Sequence, residues 1–504
     1  MLWFLLCVAF LVLGYFIYGT LIEKIFGIKP QRATPANSMQ DGVDYVPMSK
    51  KKIWLIQLLN IAGTGPIFGP ILGAMYGPVA MLWIVFGCIF AGAVHDYLTG
   101  MLSIRNRGAN IPYLTGKYLG KPVKHFMNFF AVLLLLLVGV VFVASPASLL
   151  TNITSDIIAH GGVSANAVND EAGTSKGTIL VVWTAIIFVY YIIATLVPID
   201  KIIGRIYPFF GALLLFMTCG MLYGLVAGGI PFFQTVGTDI GLMDFFKNMH
   251  PTNAPIWPLL FITIACGAIS GFHATQTPLM ARCTQNEREG RFIFYGAMIA
   301  EGVIALIWCM VGLSFYQDQA ALQEAIKIGT PAKVVYDSAI SMLGLVGGIL
   351  AVLGVVVLPI TSGDTAFRAA RLLIADFLNI EQRSFAKRLM IAVPLFVIGF
   401  MVSKIDFTIL WRYFGWANQT TAMITLWAGA AYLYRTGKFH WVATIPAIFM
   451  TTVCSTFILN APIGLGLDYD LSVWLGIGIA VLCAALFFGL LKPFQKEADS
   501  EAEA

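Results

Sequence analysis

Ionisable side chains are rare inside the long apolar runs of this sequence, and the segment AVHDYLTG contains two of them in adjacent positions. His95 and Asp96 lie toward one end of their apolar run. Histidine changes charge near neutral pH, and a carboxylate inside a membrane can exchange a proton or hold a cation. We therefore predict that this pair relays protons. The alternative is that both side chains only anchor the helix end near Arg105.

A second group of oxygen-bearing side chains stands in the segment LPITSGDTAFRAARLL. Hydroxyl and carboxylate oxygens are suitable ligands for a cation or a proton. We predict a coupling-ion site at Thr361, Ser362 and Asp364, with Thr361 and Ser362 as the ligands if the ion is sodium. The alternative is that Asp364 caps an amphipathic helix at 365–378 and pairs with Arg368 one turn later.

The segment NIAGTGPIFGPILGAMYGP contains five glycines and three prolines at residues 60–78, yet its flanks are apolar. A related segment at 255–282, PIWPLLFITIACGAISGFHATQTPLMAR, is interrupted by glycines at 267 and 271. Such segments are typical of discontinuous helices, whose free backbone groups bind substrate or ions at the middle of the membrane. The sequence therefore predicts two broken helices.

The predicted substrate site consists of the polar and glycine residues at these two interruptions. They are Asn60, Gly63, Thr64, Gly65, Ser270, Gly271, His273 and Gln276. Two alternatives stay open. The glycines could serve only to let helices approach closely, and His273 could bond a backbone carbonyl that the break leaves free.

The composition places these segments in a membrane. Of 504 residues, 59% are hydrophobic and 11% are charged, and the mean hydropathy is +0.83. Apolar runs able to cross about 30 Å of hydrocarbon recur throughout, which excludes a soluble multidomain protein. We predict an all-α polytopic membrane protein with thirteen crossings, near residues 2–22, 54–76, 79–101, 125–148, 178–198, 206–228, 257–281, 292–314, 343–363, 389–405, 407–434, 441–459 and 471–491.

The distribution of basic residues predicts the orientation. With the N-terminus in the periplasm and the C-terminus in the cytoplasm, the inner loops contain 25 of the 31 Lys and Arg residues. The net charge of +5 follows from this asymmetry and gives no reason to expect nucleic acid. The run from Leu2 to Gly19 lacks the basic region and cleavage site of a signal peptide, so we expect a retained anchor helix.

The chain is predicted to form a single transmembrane transporter domain. The two interrupted segments are five crossings apart, and an odd separation gives them opposite directions, as two inverted repeats of five helices require. The predicted parts are an anchor helix and cytoplasmic loop at 1–53, repeats at 54–228 and 257–434, two further helices at 441–491 and a cytoplasmic tail at 492–504.

Enzymatic motifs are weak. The sequence contains neither G-x-x-x-x-G-K-[ST] nor H-E-x-x-H. Gly-Ala-Ile-Ser-Gly at 267–271 and Ser-Gly-Asp at 362–364 are similar to intramembrane protease motifs, but each lacks the preceding glycine and a partner nearby. Seven of the eight cysteines lie in apolar runs, so we expect neither disulfides nor a metal cluster. We predict no enzyme and no cofactor beyond a coupling proton or sodium ion.

The segments quoted above, extended to AVHDYLTGMLSIRNRG and to LPITSGDTAFRAARLLIADF, resemble the carbon starvation protein A family from about Trp54 to Phe377. The resemblance implies a bacterial inner-membrane importer of peptides or pyruvate, coupled to the proton gradient and used when preferred carbon is scarce. It also implies kinship with amino acid, polyamine and organocation transporters and thus a LeuT-like fold. The chain is expected to be the shorter form of the family.

Secondary active uptake by alternating access is the function that these observations favour. A small anionic substrate, or the carboxylate end of a peptide, would lie against helix N-termini at the two breaks while a proton or sodium ion binds nearby. Pyruvate and peptide both stay open as substrates, and the oligomeric state stays open as well. The alternative function is a substrate-gated sensor or channel, although no predicted loop is long enough for a cytoplasmic output domain.

Overall fold

The computed structural model describes residues 1–42, 45–160, 172–196, 203–378, 380 and 384–492. Regular structure in these ranges is helical throughout, as predicted. The α-helices are α1 (Leu2–Phe16), α2 (Tyr18–Phe26), α3 (Pro35–Ser38), α4 (Lys50–Ile61), α5 (Gly65–Gly73), α6 (Val79–Gly87), α7 (Ala93–Arg105), α8 (Ile111–Leu119), α9 (Lys121–His160), α10 (Ala172–Leu196), α11 (Ile203–Ala227), α12 (Ile256–Thr263), α13 (Gly271–Ala281), α14 (Gly296–Ser314), α15 (Gln319–Leu378), α16 (Phe385–Val402), α17 (Phe407–Arg435), α18 (Trp441–Asn460) and α19 (Tyr469–Leu490). Almost all of the predicted tail at 492–504 lies outside the described residues.

Ten helices in the described residues are long and apolar enough to cross a membrane, or eleven if α4 and α5 form one broken span. The two remaining predicted crossings correspond to α12 with α13 and to α17. α12 and α13 contain only eight and eleven residues, so neither crosses alone. α17 contains Arg412 and a polar run from Asn418 to Thr421, which lower its hydropathy. Length and apolar composition identify ten or eleven spans in the described residues, and the two other predicted crossings are present as the broken helix α12 with α13 and as the 29-residue helix α17.

The first predicted interruption is a break between two helices. α4 ends at Ile61, α5 begins at Gly65, and the two axes are bent by 51°. Pro66 occupies the first turn of α5. A backbone N–H at this position would have no acceptor within the helix, so a proline there costs no helical hydrogen bond. Beyond α5 a short 3-10 turn ends before Gly77, whose φ of +90° favours glycine.

The second predicted interruption is also a break. α12 ends at Thr263 and α13 begins at Gly271, so seven residues between them are not helical. Gly267 lies in this stretch with a φ of +88°, a conformation that residues with a Cβ atom rarely adopt. Both discontinuous helices of the prediction are therefore confirmed.

Helix α15 is interrupted at Gly329, Thr330 and Gly344, where the dihedral angles are not helical. The part of α15 before Gly329 therefore forms a separate helical segment. The last part of α15 continues without interruption through Asp364 to Leu378. An N-cap residue must precede its helix, so the alternative that Asp364 caps a helix at 365–378 is wrong.

Helices α9, α10 and α15 support the first break from one side. A Cβ atom on Gly63 would lie 2.3 Å from the ring of Phe142 in α9, so the chain passes directly over that ring. The hydroxyl of Tyr191 in α10 lies 2.9 Å from the carbonyl oxygens of Phe142 and Pro359. This single buried hydroxyl connects three helices behind the break.

Candidate functional site

The two breaks pack against each other and against α17 so closely that glycine is needed at the points of contact. A Cβ atom on Gly65 would lie 2.4 Å from the Cys266 sulfur, and one on Gly271 would lie 2.3 Å from the Asn418 carbonyl oxygen. Neither position can hold a larger side chain without displacing its neighbour. The glycines therefore have the close-approach role that the sequence left open, and a direct role of Gly63, Gly65 and Gly271 in substrate binding stays a prediction.

Four ionisable side chains form a buried group beside the breaks, which we call the membrane cluster: His95, Asp96, His273 and Glu301. Asp96 lies 2.7 Å from His95 Nδ1 through one oxygen and 2.8 Å from His273 Nδ1 through the other. Glu301 Oε2 lies 3.1 Å from His273 Nε2. All four side chains are fully enclosed. His273 thus stands between two carboxylates, so the alternative that it bonds a free carbonyl is wrong.

Local backbone features bring the three helices of the membrane cluster together. Asp96 follows a π-helical turn at the start of α7, His273 is the third residue of α13, and Glu301 lies within α14. A Cβ atom on Gly92 would lie 2.2 Å from the carbonyl oxygen of Ala268. Because α7 passes the second break at this distance, its carboxylate reaches the histidine at the start of α13.

The charges of the membrane cluster are opposed only by histidine. Every ion pair of its members in the described residues is with another member, and none is with Lys or Arg. Both Glu301 oxygens and His95 Nε2 are buried without an aligned hydrogen bond. A buried charge without full pairing is expensive, and a group that can change its protonation state avoids that expense. The cluster therefore has the chemistry of a proton-exchange site.

Asn418 organises the start of α13. Its side-chain oxygen accepts a hydrogen bond of 2.7 Å from the Phe272 N–H and one of 3.2 Å from the Ser270 hydroxyl. Asn418 therefore satisfies a backbone donor that the break leaves free, which is the role of a capping residue supplied from another helix. The Ser270 hydroxyl is bound to this amide and not to a base, so the protease-like motif lacks its activating partner in the described residues.

The remaining predicted residues lie around the breaks with different partners. The Thr64 hydroxyl accepts a hydrogen bond of 3.3 Å from Ser145, and the Gln276 amide nitrogen donates to Thr275 at 3.0 Å. Gln276 Oε1 is buried without a hydrogen-bond partner among the described residues. A role of Gln276 in substrate binding stays a prediction.

The predicted coupling-ion segment on α15 reaches the first break through one residue. The Ser362 hydroxyl donates to the Asn60 carbonyl oxygen at 3.4 Å. The side chains of Thr361 and Asp364 lie outside the part of the chain that the structure describes. The structure thus brings Ser362 and Asn60 together, and brings His95 and Asp96 to a different place, beside His273.

One group of side chains has the spacing to approach a single metal ion within the described residues. It consists of Cys266, His273 and Glu301, whose ligand atoms lie within 4.8 Å of one another. His273 Nε2 already faces Glu301, and the Cys266 sulfur lies 3.4 Å from the Ser270 hydroxyl. The potential ligand atoms of this group therefore already lie next to other side chains of the protein.

Sequence reasoning missed Glu301 and gave Asn418 no role. Glu301 is the one acidic residue in the apolar run FIFYGAMIAEGVIALIWCMVGLS. An ionisable residue inside a membrane helix is a candidate functional residue by default, so this signal was present. Asn418 carried a weaker signal, since a polar run in a helix does not reveal what it faces.

The family profile described as carbon starvation protein CstA matches residues 1–160, 150–349 and 328–457. These ranges extend over the breaks, the membrane cluster and most of the chain. The chain belongs to the CstA family. An uncharacterized membrane protein of Haemophilus influenzae is 64% identical over 352 residues, covering 65% of this chain and 95% of that protein.

Two relatives in Escherichia coli carry functional names. The peptide transporter CstA is 26% identical, and the alignment covers 88% of this chain and 78% of the transporter. The pyruvate/proton symporter BtsT is 29% identical, and the alignment covers 60% of this chain and 47% of the symporter. The similarity thus extends to proteins named for two different substrates.

Solved transporter structures share the fold of this CstA-family chain. MhsT in complex with L-phenylalanine has a TM-score of 0.54 at 16% identity, covering 86% of this chain and 99% of MhsT. Mhp1, a nucleobase-cation-symport-1 family transporter in a closed conformation with bromovinylhydantoin bound, has a TM-score of 0.52 at 12% identity, covering 94% and 99%. The predicted LeuT-like architecture is therefore confirmed, while the proposed repeat boundaries stay predictions.

Proposed function

We propose that this CstA-family protein is a secondary active transporter that takes up a small carboxylate-bearing substrate, pyruvate or a short peptide, together with protons. The names of the two Escherichia coli relatives support both substrates, and the symporter supports the proton. The observation that carries the proposal is the membrane cluster, in which two carboxylates meet one histidine directly beside the breaks.

Proton coupling requires a group whose protonation changes as the transporter changes conformation. Asp96 and Glu301 both contact His273, so a proton on any of the three changes the field at the other two. His273 belongs to the short helix α13, whereas its two partners belong to α7 and α14. Movement of α13 during the transport cycle would lengthen these contacts and thereby couple substrate movement to proton release.

The substrate carboxylate is proposed to lie at the breaks. Backbone N–H groups at the starts of α5 and α13 give each helix N-terminus a partial positive charge, which favours an anion. Gln276 is one turn into α13 and has an unpartnered amide oxygen. That oxygen suits a donor group on the substrate, such as a peptide N–H.

Sodium coupling is the second candidate, and the contact between Ser362 and Asn60 favours it. A hydroxyl and a backbone carbonyl are hard oxygen ligands, which suit an alkali cation. The two oxygens lie 3.4 Å apart at the end of α4, next to the first break. A sodium ion there would stabilise the bent arrangement of α4 and α5.

The protein is proposed to lie in the bacterial inner membrane with its N-terminus in the periplasm. The loop charges support this orientation. Impermeant maleimide added outside should label a single cysteine placed at position 240, and should not label one placed at 110 or 286, in a background without native cysteines. Labelling at 110 or 286 would show that the orientation is the reverse of the one proposed.

Uptake by the purified protein in proteoliposomes tests the function. We expect an inward pH gradient to drive accumulation of labelled pyruvate or labelled dialanine above the outside concentration, and we expect a sodium gradient alone to drive none. A channel would let the substrate equilibrate without accumulation. Accumulation driven only by sodium would move the coupling site to Ser362, and accumulation of neither compound under either gradient would contradict the proposal.

A further inference from the structure

A cavity of about 410 Å³ lies between the end of α5, which is predicted to face the periplasm, the last residue of α12 at the second break, and the start of α17. We call it the outer cavity. Its walls come from the end of α5, the end of α12, the start of α17 and the part of α15 before the interruption at Gly329. Its volume lies in the range of small-molecule sites, about 300–1,000 Å³. A substrate that approaches the breaks from this side meets the outer cavity first.

One wall of the outer cavity is aromatic. Trp411 lines it and donates a hydrogen bond of 3.2 Å to the carbonyl oxygen of Thr263, the last residue of α12. The Trp411 ring also packs against Phe68 and Phe407, with centroids 6.0 and 5.7 Å away. Phe68 is fully buried in α5, close to the first break. Trp411 and Phe407 thus form an aromatic wall of the outer cavity next to Thr263, where α12 ends at the second break.

Arg412 brings a positive charge to the outer cavity. Its side chain is exposed to the cavity, and in the described residues no hydrogen bond or ion pair holds it. Arg412 lies six residues beyond Asp406, or about 9 Å along the helix axis. An arginine at such a depth needs water or an anion for its five donors. Water can enter this cavity, and so can an anionic substrate.

The other charged groups of the outer cavity do not neutralise Arg412. Asp406 caps the start of α17 by accepting hydrogen bonds of 2.9 and 3.3 Å from the N–H groups of Thr408 and Ile409, and it contributes one negative charge against the two cations of the wall. Burial and the charge of Arg412 lower the pKa of His250, which is therefore neutral at pH 7. Lys327 adds a second cation to the wall. The cavity thus has an excess of positive charge.

We propose that the outer cavity is the first binding site for the carboxylate of the incoming substrate, and that Arg412 binds this carboxylate and selects for it. The inference rests on the proposed function, because it assumes an anionic substrate. A guanidinium group can hold a carboxylate through two parallel hydrogen bonds, and Lys327 would raise the local concentration of anions. The aromatic wall then holds the body of the substrate until the breaks open to it.

Uptake kinetics of Arg412→Gln, Arg412→Lys and Lys404→Gln test the inference. Lys404 is exposed near the start of α17 but lies over the Phe400 ring and does not line the cavity, so it is the matched control. We expect Arg412→Gln to raise the KM for labelled pyruvate or dialanine about tenfold, with a maximal rate within about twofold, because a charge-assisted hydrogen bond is lost. The KM of Arg412→Lys should lie between those of the wild type and Arg412→Gln, and the KM of Lys404→Gln should match that of the wild type.

A competition experiment separates capture of the carboxylate from a general defect. In the wild type, pyruvamide or dialanine amide should compete with the labelled substrate much more weakly than the parent carboxylate. This preference should fall about tenfold in Arg412→Gln, since the amide forms no charged pair. An unchanged KM with an unchanged preference would overturn the inference, and so would a loss confined to the maximal rate.

Binding to the purified protein keeps this inference distinct from the proposed function. If the wild type accumulates no substrate, the proposed function fails, and the affinity of the purified protein for labelled pyruvate or dialanine still reports on Arg412. Equal binding by the wild type and by Arg412→Gln, or no binding by either, would then overturn the inference. Size-exclusion profiles and melting temperatures identify any variant that does not fold.

Discussion

Helix α7 contacts two buried ionic groups, the membrane cluster near its start and a second group at its end. The second group, which we call the inner latch, consists of Arg105, Glu287, Tyr432 and the backbone of Gly27 and Lys29. Arg105 donates to the two Glu287 oxygens at 3.0 and 2.9 Å and to the Gly27 carbonyl at 2.8 Å. It also donates to the Tyr432 hydroxyl, and the Lys29 N–H donates to Glu287 at 2.6 Å.

The two groups differ in how fully their polar atoms are hydrogen bonded and in whether their charges are permanent. The Arg105 guanidinium is permanently charged and pairs with Glu287 through two parallel bonds, the geometry that suits a fixed connection. The membrane cluster has two carboxylates and two histidines, with several polar atoms that lack aligned partners. Burial of charge is common to both groups. Only the membrane cluster consists of groups that can exchange protons near neutral pH.

The inner latch ties the segment before the first broken helix to the loop after the second one. Asn286 donates to the Pro30 carbonyl at 3.0 Å, and Gln285 donates to the Met48 carbonyl at 2.8 Å. The Met48 N–H in turn donates to the Cys283 carbonyl at 3.2 Å. Arg105 therefore acts within a larger set of connections. The alternative that His95 and Asp96 only anchor the helix end near Arg105 stays a hypothesis.

The largest expected effect comes from Asp96→Asn, which tests whether the membrane cluster exchanges protons. An amide can still hydrogen bond with His95 and His273 but cannot take up or release a proton, so accumulation driven by a pH gradient should fall about 100-fold or more. The melting temperature should change little, because the variant removes a buried charge. Initial uptake and counterflow are measured side by side.

Thr99→Ser is the control for Asp96→Asn, since Thr99 lies one turn away in α7 and its hydroxyl donates to the His95 carbonyl, a bond that serine can keep. Its uptake should match the wild type. Counterflow by Asp96→Asn without net accumulation would be the signature of lost coupling. Full gradient-driven accumulation by Asp96→Asn would remove the membrane cluster from the coupling mechanism.

Glu287→Gln should differ from Asp96→Asn in that it lowers the stability strongly and transport only moderately. The change leaves Arg105 buried with an uncompensated charge, which destabilises a protein by about 3 kcal/mol. We expect a clearly lower melting temperature, with uptake per folded molecule within about threefold of the wild type. The comparison fails if Glu287→Gln abolishes transport while its stability is normal. Arg288→Gln, at the exposed neighbouring position, is the control.

Ser362→Ala should have the smallest effect and sharpens the choice between the two coupling ions. The hydrogen bond from Ser362 to Asn60 is long, so its loss should reduce stability by only about 0.5 kcal/mol. Proton-driven uptake should stay within about twofold of the wild type. If sodium is the coupling ion instead, this variant should lose sodium-driven uptake, and the sodium concentration for half-maximal rate should rise steeply.

Features with a local cause could be predicted from the sequence. Glycines and prolines between Asn60 and Pro78 exclude an uninterrupted helix, and Gly267 occupies a backbone conformation that other residues avoid, so both breaks were predictable. The apolar runs and the asymmetry of Lys and Arg likewise depend only on transfer of side chains into lipid. The all-α fold, the two discontinuous helices and the family resemblance therefore needed no tertiary information.

Features with a distant cause were predicted less well. The alternative of Asp364 as a helix cap follows from its position before a predicted amphipathic helix, but α15 continues through it. The close-approach role of Gly65 depends on Cys266, some two hundred residues away, and no local pattern specifies that contact.

The sequence by itself determined that this chain crosses the membrane many times, where its two special helices break and which of its polar residues are candidates for chemistry. Only the tertiary structure decided which of these residues meet. Asp96, His273 and Glu301 belong to three helices, and they converge because Gly92 lets α7 touch the backbone of the second break at Ala268. The physical reason is that hydropathy and helix breaking act within a few residues along the chain, whereas the pairing of buried charges depends on how helices distant in sequence pack.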